Sequence, residues 1–120
     1  MLDKKILLAE DDAGIAEVVS LILKDNAFDV IVPNDYKEIL KLISEVKFNL
    51  ILLDMSLWGG DGVMICKKIR SDSLNIQTPV VLLTAKTNAS ELVDNVYIND
   101  IIEKPFEINA LLTVVKKNIT

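Results

Sequence analysis

The chain has 120 residues, 51% of them apolar and 26% charged, a composition suited to a single compact core. Its 18 acidic and 13 basic residues leave a net charge of −5, and the basic pairs Lys4-Lys5, Lys67-Lys68 and Lys116-Lys117 are scattered, which argues against nucleic-acid binding by this chain. There is no histidine, so histidine bases, histidine metal ligands and a self-supplied phosphohistidine are excluded; no apolar run nears the ~18 residues of a membrane span. The N-terminus turns acidic too early for a secretory signal, and the lone Cys66 rules out an internal disulfide, so a cytoplasmic setting is expected.

Residues 6–9 form a first apolar run, after which Ile15, Val18, Val19, Ile22 and Leu23 recur at helical spacing. A second strand is expected over residues 28–32, ending at Pro33, with Asn34 as N-cap of a helix whose apolar face carries Tyr36, Ile39, Leu40 and Ile43. The third run, residues 50–53, stops at Asp54. A glycine-rich turn, Trp58-Gly59-Gly60-Asp61-Gly62, leads into a helix reaching about Arg70. Pro79 opens a fourth run, residues 80–83, which ends at Thr84. A short helix with Ala89, Leu92, Val93 and Val96 precedes a fifth strand around Ile101 and Ile102, and a last helix shows Ile108, Leu111, Leu112, Val115 and Ile119 on one stripe.

Five strand–helix units in strict alternation predict one domain over residues 1–120. The fold class is α/β, a doubly wound parallel sheet with right-handed crossovers. Runs one, three and four are apolar throughout, as strands covered on both faces should be.

The chemistry is expected where the strands end, because ligands of such sheets bind outside their carboxyl ends. Glu10-Asp11-Asp12, Asp54, Thr84 and Lys104 fall there. Carboxylates gathered in one pocket repel, by about 4 kcal/mol for two charges 4 Å apart at an effective dielectric near 20. A hard divalent cation relieves this, and oxygen-only ligands suit Mg²⁺. One carboxylate can then attack phosphorus, and Asp54, alone at the end of a central strand, is the best placed. Lys104 would neutralise a phosphoryl oxygen and Thr84 would donate a hydrogen bond to another. Each residue also has a plainer reading: the acidic triplet as a helix start, Asp54 as a turn residue, Thr84 as a strand end, Lys104 as an exposed cation. Jointly these explain poorly why all four sit at strand ends.

The pattern ILLAEDD, LILLDM, GGDG, VVLLTAKT and IIEKPF resembles the receiver domain of response regulators over essentially the whole chain. The resemblance implies a flavodoxin-like fold of five strands in order 2-1-3-4-5 with five helices. It implies Asp11 as the direct Mg²⁺ ligand, Glu10 acting mainly through water, the Ser56 carbonyl completing the set, Asp54 phosphorylated by a sensor histidine kinase or phosphotransfer protein, and a cis bond between Lys104 and Pro105. It also implies a signalling domain, not an enzyme acting on a separate substrate. A homodimer or output partner would use the face of the fourth helix, fifth strand and fifth helix. The chain departs from the family at Ile101, where an aromatic is usual, at Trp58, and in a short segment between Thr84 and Lys104. The competing reading is a receiver-like interaction module that is not phosphorylated.

Overall fold

A computed structural model describes residues 3–55, 62–71, 73–85 and 97–120. Within these, the chain order is β1 (Lys5–Ala9), α1 (Ala13–Asp25), β2 (Asp29–Ile31), α2 (Tyr36–Glu45), β3 (Leu50–Asp54), α3 (Gly62–Ser71), β4 (Val80–Ala85), β5 (Asp100–Lys104) and α4 (Ile108–Asn118). The strands form one parallel sheet in the order β2-β1-β3-β4-β5, as expected. The short helix expected around Ala89 to Val96 lies outside the described residues, so α4 here is the last of the five predicted helices.

Alternation along each strand builds two cores. Leu7, Ala9, Ile51, Leu53, Val80 and Leu82 point to one face, where Ile39 and Ile43 of α2 and Ile65, Cys66 and Ile69 of α3 cover them. Ile6, Leu8, Leu50, Leu52, Val81 and Leu83 point to the other, under Val19 and Leu23 of α1 and Leu111 and Val115 of α4. Each large aliphatic side chain taken out of water contributes roughly 1.5–3 kcal/mol. Both faces of the central strands are covered, which is why their sequences read as unbroken apolar runs.

Local chemistry sets where elements stop. Asp12 caps α1 by accepting from the Ile15 N–H at 3.0 Å. The helix closes in a Schellman turn, with Ala27 N–H donating to the Lys24 carbonyl and Phe28 N–H to that of Leu23. Ala27 sits at φ 67° to make it. Phe28 is spent on this turn, so β2 runs Asp29–Ile31 and is shorter than the residues 28–32 expected.

The cap of α2 is Asp35, one residue after the Asn34 expected. Asp35 accepts from the Glu38 N–H at 2.8 Å, while Glu38 reaches back to accept from the Asn34 N–H at 3.3 Å. Both types cap well, but only Asp35 has a glutamate three residues on, and its carboxylate takes up the N–H just before the cap. At the far end of the chain, Thr120 N–H and Oγ1 both donate to the Asn49 carbonyl at 3.2 Å, and Asn49 Nδ2 donates to the Thr120 carbonyl at 3.0 Å. Among the described residues no helix is long and apolar enough to cross a membrane.

Candidate metal and phosphoryl site

Parallel pairing levels the carboxyl ends of the strands. Ala9 stands opposite Leu53, Asp54 opposite Leu83, and Ala85 opposite Lys104. The residues that follow or end these strands therefore meet at one edge. Glu10, Asp11 and Asp54 each offer a carboxylate oxygen, all within 4.8 Å of one another. Asp11 is exposed, while Glu10 and Asp54 are 4% and 3% exposed. An all-oxygen set with one carboxylate open to solvent fits a hard cation that keeps part of its water, such as Mg²⁺.

Lys104 enters from β5. Its Nζ lies 2.6 Å from Glu10 Oε1 and 3.3 Å from Asp54 Oδ2. Two buried carboxylates thus share one ammonium, and negative charge remains in surplus. Burial, and then the neighbouring Asp54, push the Glu10 carboxyl up to about 7 against the opposing pull of Lys104. Burial lowers the Lys104 ammonium, but the Glu10 hydrogen bond and the two carboxylate charges outweigh it, so its net shift is upward. The other Glu10 oxygen accepts weakly from the Asp12 N–H at 3.4 Å. The Lys104–Pro105 bond is cis, in agreement with the resemblance.

Thr84 is placed at the right level and is buried, but its hydroxyl is not on Asp54. It contacts Met55 Sδ at 3.5 Å and the Ala85 carbonyl at 3.3 Å. Ser56 and Trp58 lie outside the described residues. Asp12, grouped with Glu10 and Asp11 in sequence, serves the plainer role of helix cap. Ile101 is half-buried against the core on the α2–α3 face.

The residue that sequence reasoning passed over is Gly62. A Cβ there would fall 2.8 Å from the Met55 Cα and 3.1 Å from the Asp54 carbonyl oxygen. Its N–H donates to the Met55 carbonyl at 3.1 Å. Only glycine lets α3 start this close beneath the end of β3, and so it fixes the backbone on which Asp54 is presented. The signal was the last glycine of GGDG, read only as part of a turn. Glu10 was expected to act on the metal, mainly through water; its ion pair with Lys104 joins two positions 94 residues apart and has no local signature.

A family model described as "Response regulator receiver domain" matches residues 6–116. The DNA-binding response regulator MtrA of Mycobacterium tuberculosis is 34% identical over 118 residues, covering 97% of this chain and 50% of that protein. The phosphate regulon transcriptional regulatory protein PhoB of Escherichia coli is 34% identical over 115 residues, covering 94% of this chain and 50% of PhoB. The chain therefore spans about half the length of the curated relatives it matches. Among solved structures, the receiver domain of the Francisella response regulator 1452 superposes with a TM-score of 0.83 at 32% identity, covering 96% of this chain and 95% of that one.

Proposed function

This chain belongs to the response regulator receiver domain family, and on that premise we propose that Asp54 is the residue it uses to accept a phosphoryl group. The observation carrying this reading is the meeting of Glu10, Asp11 and Asp54 within 4.8 Å, with Lys104 3.3 Å from Asp54. Asp11, Asp54 and, on the resemblance, the Ser56 carbonyl would hold Mg²⁺, with Glu10 beside them. The bound ion would neutralise phosphoryl oxygens and draw them to the acidic edge. An Asp54 carboxylate oxygen forms the new bond to phosphorus as the bond from phosphorus to the donor breaks. Lys104, released from part of its pairing, meets one phosphoryl oxygen. Thr84 has to turn from Met55 to donate to another.

A phosphohistidine donor would have to come from outside residues 1–120, which contain no histidine. A sensor histidine kinase or phosphotransfer protein in the cytoplasm is the partner this reading assigns. Residues 1–120 act as one receiver domain that does not turn over a separate substrate beyond its own phosphorylation and dephosphorylation. The output leaves through β5, α4 and the predicted helix before β5, by homodimerisation or by docking of an output partner. The test is intact mass after exposure to acetyl phosphate with Mg²⁺. One phosphoryl adduct on the wild type, absent from Asp54→Asn and from samples held with a chelator, is expected. An unmodified wild type, or an adduct that survives in Asp54→Asn, would sink the assignment.

A further inference from the structure

Among the described residues β5 is an edge strand, paired with β4 alone. Ladder hydrogen bonds form in any register, so the side chains have to choose which one is used. Those of β5 choose poorly. Ile101 packs on the α2–α3 face, and its neighbour Ile102, 4% exposed, packs on the other. A slide of one residue would fill the place of Ile102, opposite Leu83, with Ile101. The same slide would put Glu103 in the place of Lys104, opposite Ala85, and bring a carboxylate instead of an ammonium toward Glu10 and Asp54.

What tells the registers apart stands one residue before the strand. The Asn99 N–H donates to the Val80 carbonyl at 2.8 Å, and the Val80 N–H donates back to the side-chain Oδ1 of Asn99 at 2.9 Å. This exchange uses the asparagine side chain, so it forms in one register only. Arg70 holds the same oxygen, its guanidinium donating to Asn99 Oδ1 at 2.8 Å. The rest of its fork donates to the Tyr97 carbonyl at 3.1 Å and to the Ile76 and Thr78 carbonyls at 3.0 and 2.6 Å. Arg70 is thus bonded both to the segment entering β4 and to the segment entering β5. The ties of Asp100 run to Lys117 and Asn118, and hold β5 to α4 rather than to β4. We infer that Asn99 and Arg70 are positioning residues for Lys104. By locking β5 to β4 at its amino end, they set where the ammonium stands five residues on, about 16 Å away. The placement of Lys104 follows from the pairing; its consequence for phosphoryl transfer rests on the Asp54 reading above.

Two measurements test this. The first is the side-chain nitrogen resonance of Lys104 in the metal-free protein, which reports the pairing with Glu10 without any phosphoryl chemistry. Asn99→Ala and Arg70→Lys, which keeps the charge but loses the fork, should move it toward the value of an exposed lysine. Asn99→Asp keeps an acceptor oxygen and should leave it at the wild-type value. The second is the initial rate of acetyl phosphate labelling with Mg²⁺. Asn99→Ala and Arg70→Lys should label about tenfold more slowly, as misplacement of a group by a fraction of an ångström or more can cause, and Asn99→Asp at the wild-type rate. In a Lys104→Met background Asn99→Ala should slow labelling no further, because the lock acts through Lys104. A wild-type resonance in both Asn99→Ala and Arg70→Lys, or an Asn99→Asp protein as displaced as Asn99→Ala, would overturn the lock. Full further slowing in the Lys104→Met background would reduce it to a general loosening of the fold. Displaced resonances with wild-type labelling rates would overturn the consequence for transfer. A displaced resonance in variants of a protein that takes no phosphoryl group would refute the Asp54 reading and leave the lock standing.

Discussion

The two ends of the sheet treat buried polar groups in opposite ways. At the amino end, Asn75 is fully buried and wholly matched. Its Oδ1 accepts from the Phe48 N–H and from Thr78 Oγ1, and its Nδ2 donates to the Ile43 and Val46 carbonyls. Arg70 adds a brace, donating to the Thr78, Ile76 and Tyr97 carbonyls and to Asn99 Oδ1. Every partner there comes from the protein. At the carboxyl end, Glu10 and Asp54 are as deeply buried, yet they share Lys104 and leave charge over. The amino end is closed by its own groups and supports the fold. On the reading proposed above, the carboxyl end is completed by a bound cation, and its surplus charge would make that binding favourable.

If that contrast is right, the largest effect comes from opening the closed end. Asn75→Ala strands the Phe48 N–H and two carbonyls in the interior, and a loss of about 3 kcal/mol in urea unfolding is expected. A loss under about 1 kcal/mol would mean that water replaces the amide and that the network is dispensable.

At the carboxyl end the sign reverses. Asp54→Asn removes one of the crowded charges, so the metal-free protein should gain about 1 kcal/mol. Mg²⁺ at tenfold its Kd should stabilise the wild type by about 1.4 kcal/mol through binding to the folded state, and the variant by much less. A calorimetric series with and without Mg²⁺ reads both effects. Destabilisation by Asp54→Asn without metal would erase the difference between the two ends.

A smaller effect separates the ends by pH. Asp100 begins β5 at the amino end. Burial raises its carboxyl, but the Asn118 hydrogen bond, the Ile101 N–H and Lys117 outweigh this and hold it below its ordinary value. A depressed carboxylate contributes stability above its unfolded value, about 3.9, and loses it as pH falls through the folded value. Asp100→Asn should therefore flatten the acid limb of the stability curve by less than about 1 kcal/mol. An unchanged limb would show that the ties of Asp100 to α4 carry no weight.

The smallest effect belongs to the corner below β2. Ala27 holds φ 67°, which favours glycine. Ala27→Gly should stabilise by about 0.5 kcal/mol, read as a shifted urea midpoint at constant slope.

The strands and the edge where the site lies were legible because burial on both faces writes itself as apolar runs, and because Asp54, Thr84 and Lys104 stand at the ends of those runs; the strand order came only from the family resemblance. What escaped notice depends on contacts between distant positions. The Glu10–Lys104 pair is set by pairing register, the space beneath Gly62 by where α3 meets β3, and the closed network around Asn75 by a loop whose sequence, Ser73-Leu74-Asn75-Ile76, looks unremarkable. Asp35 was missed for a nearer reason, since two good caps stood side by side and only the glutamate at Glu38 told them apart.

The link between Thr120 and Asn49 has a mechanical reading. Three hydrogen bonds fasten the last residue beside the start of β3, and β3 runs from there, buried at every residue, to Asp54. Five residues of strand make a strut of about 16 Å between the two. A pull applied at Thr120 is thus taken up first at the base of that strut, and its opposite end is the acidic edge. Thr120 and the Asp54 carboxylate thus stand at the two ends of one rod.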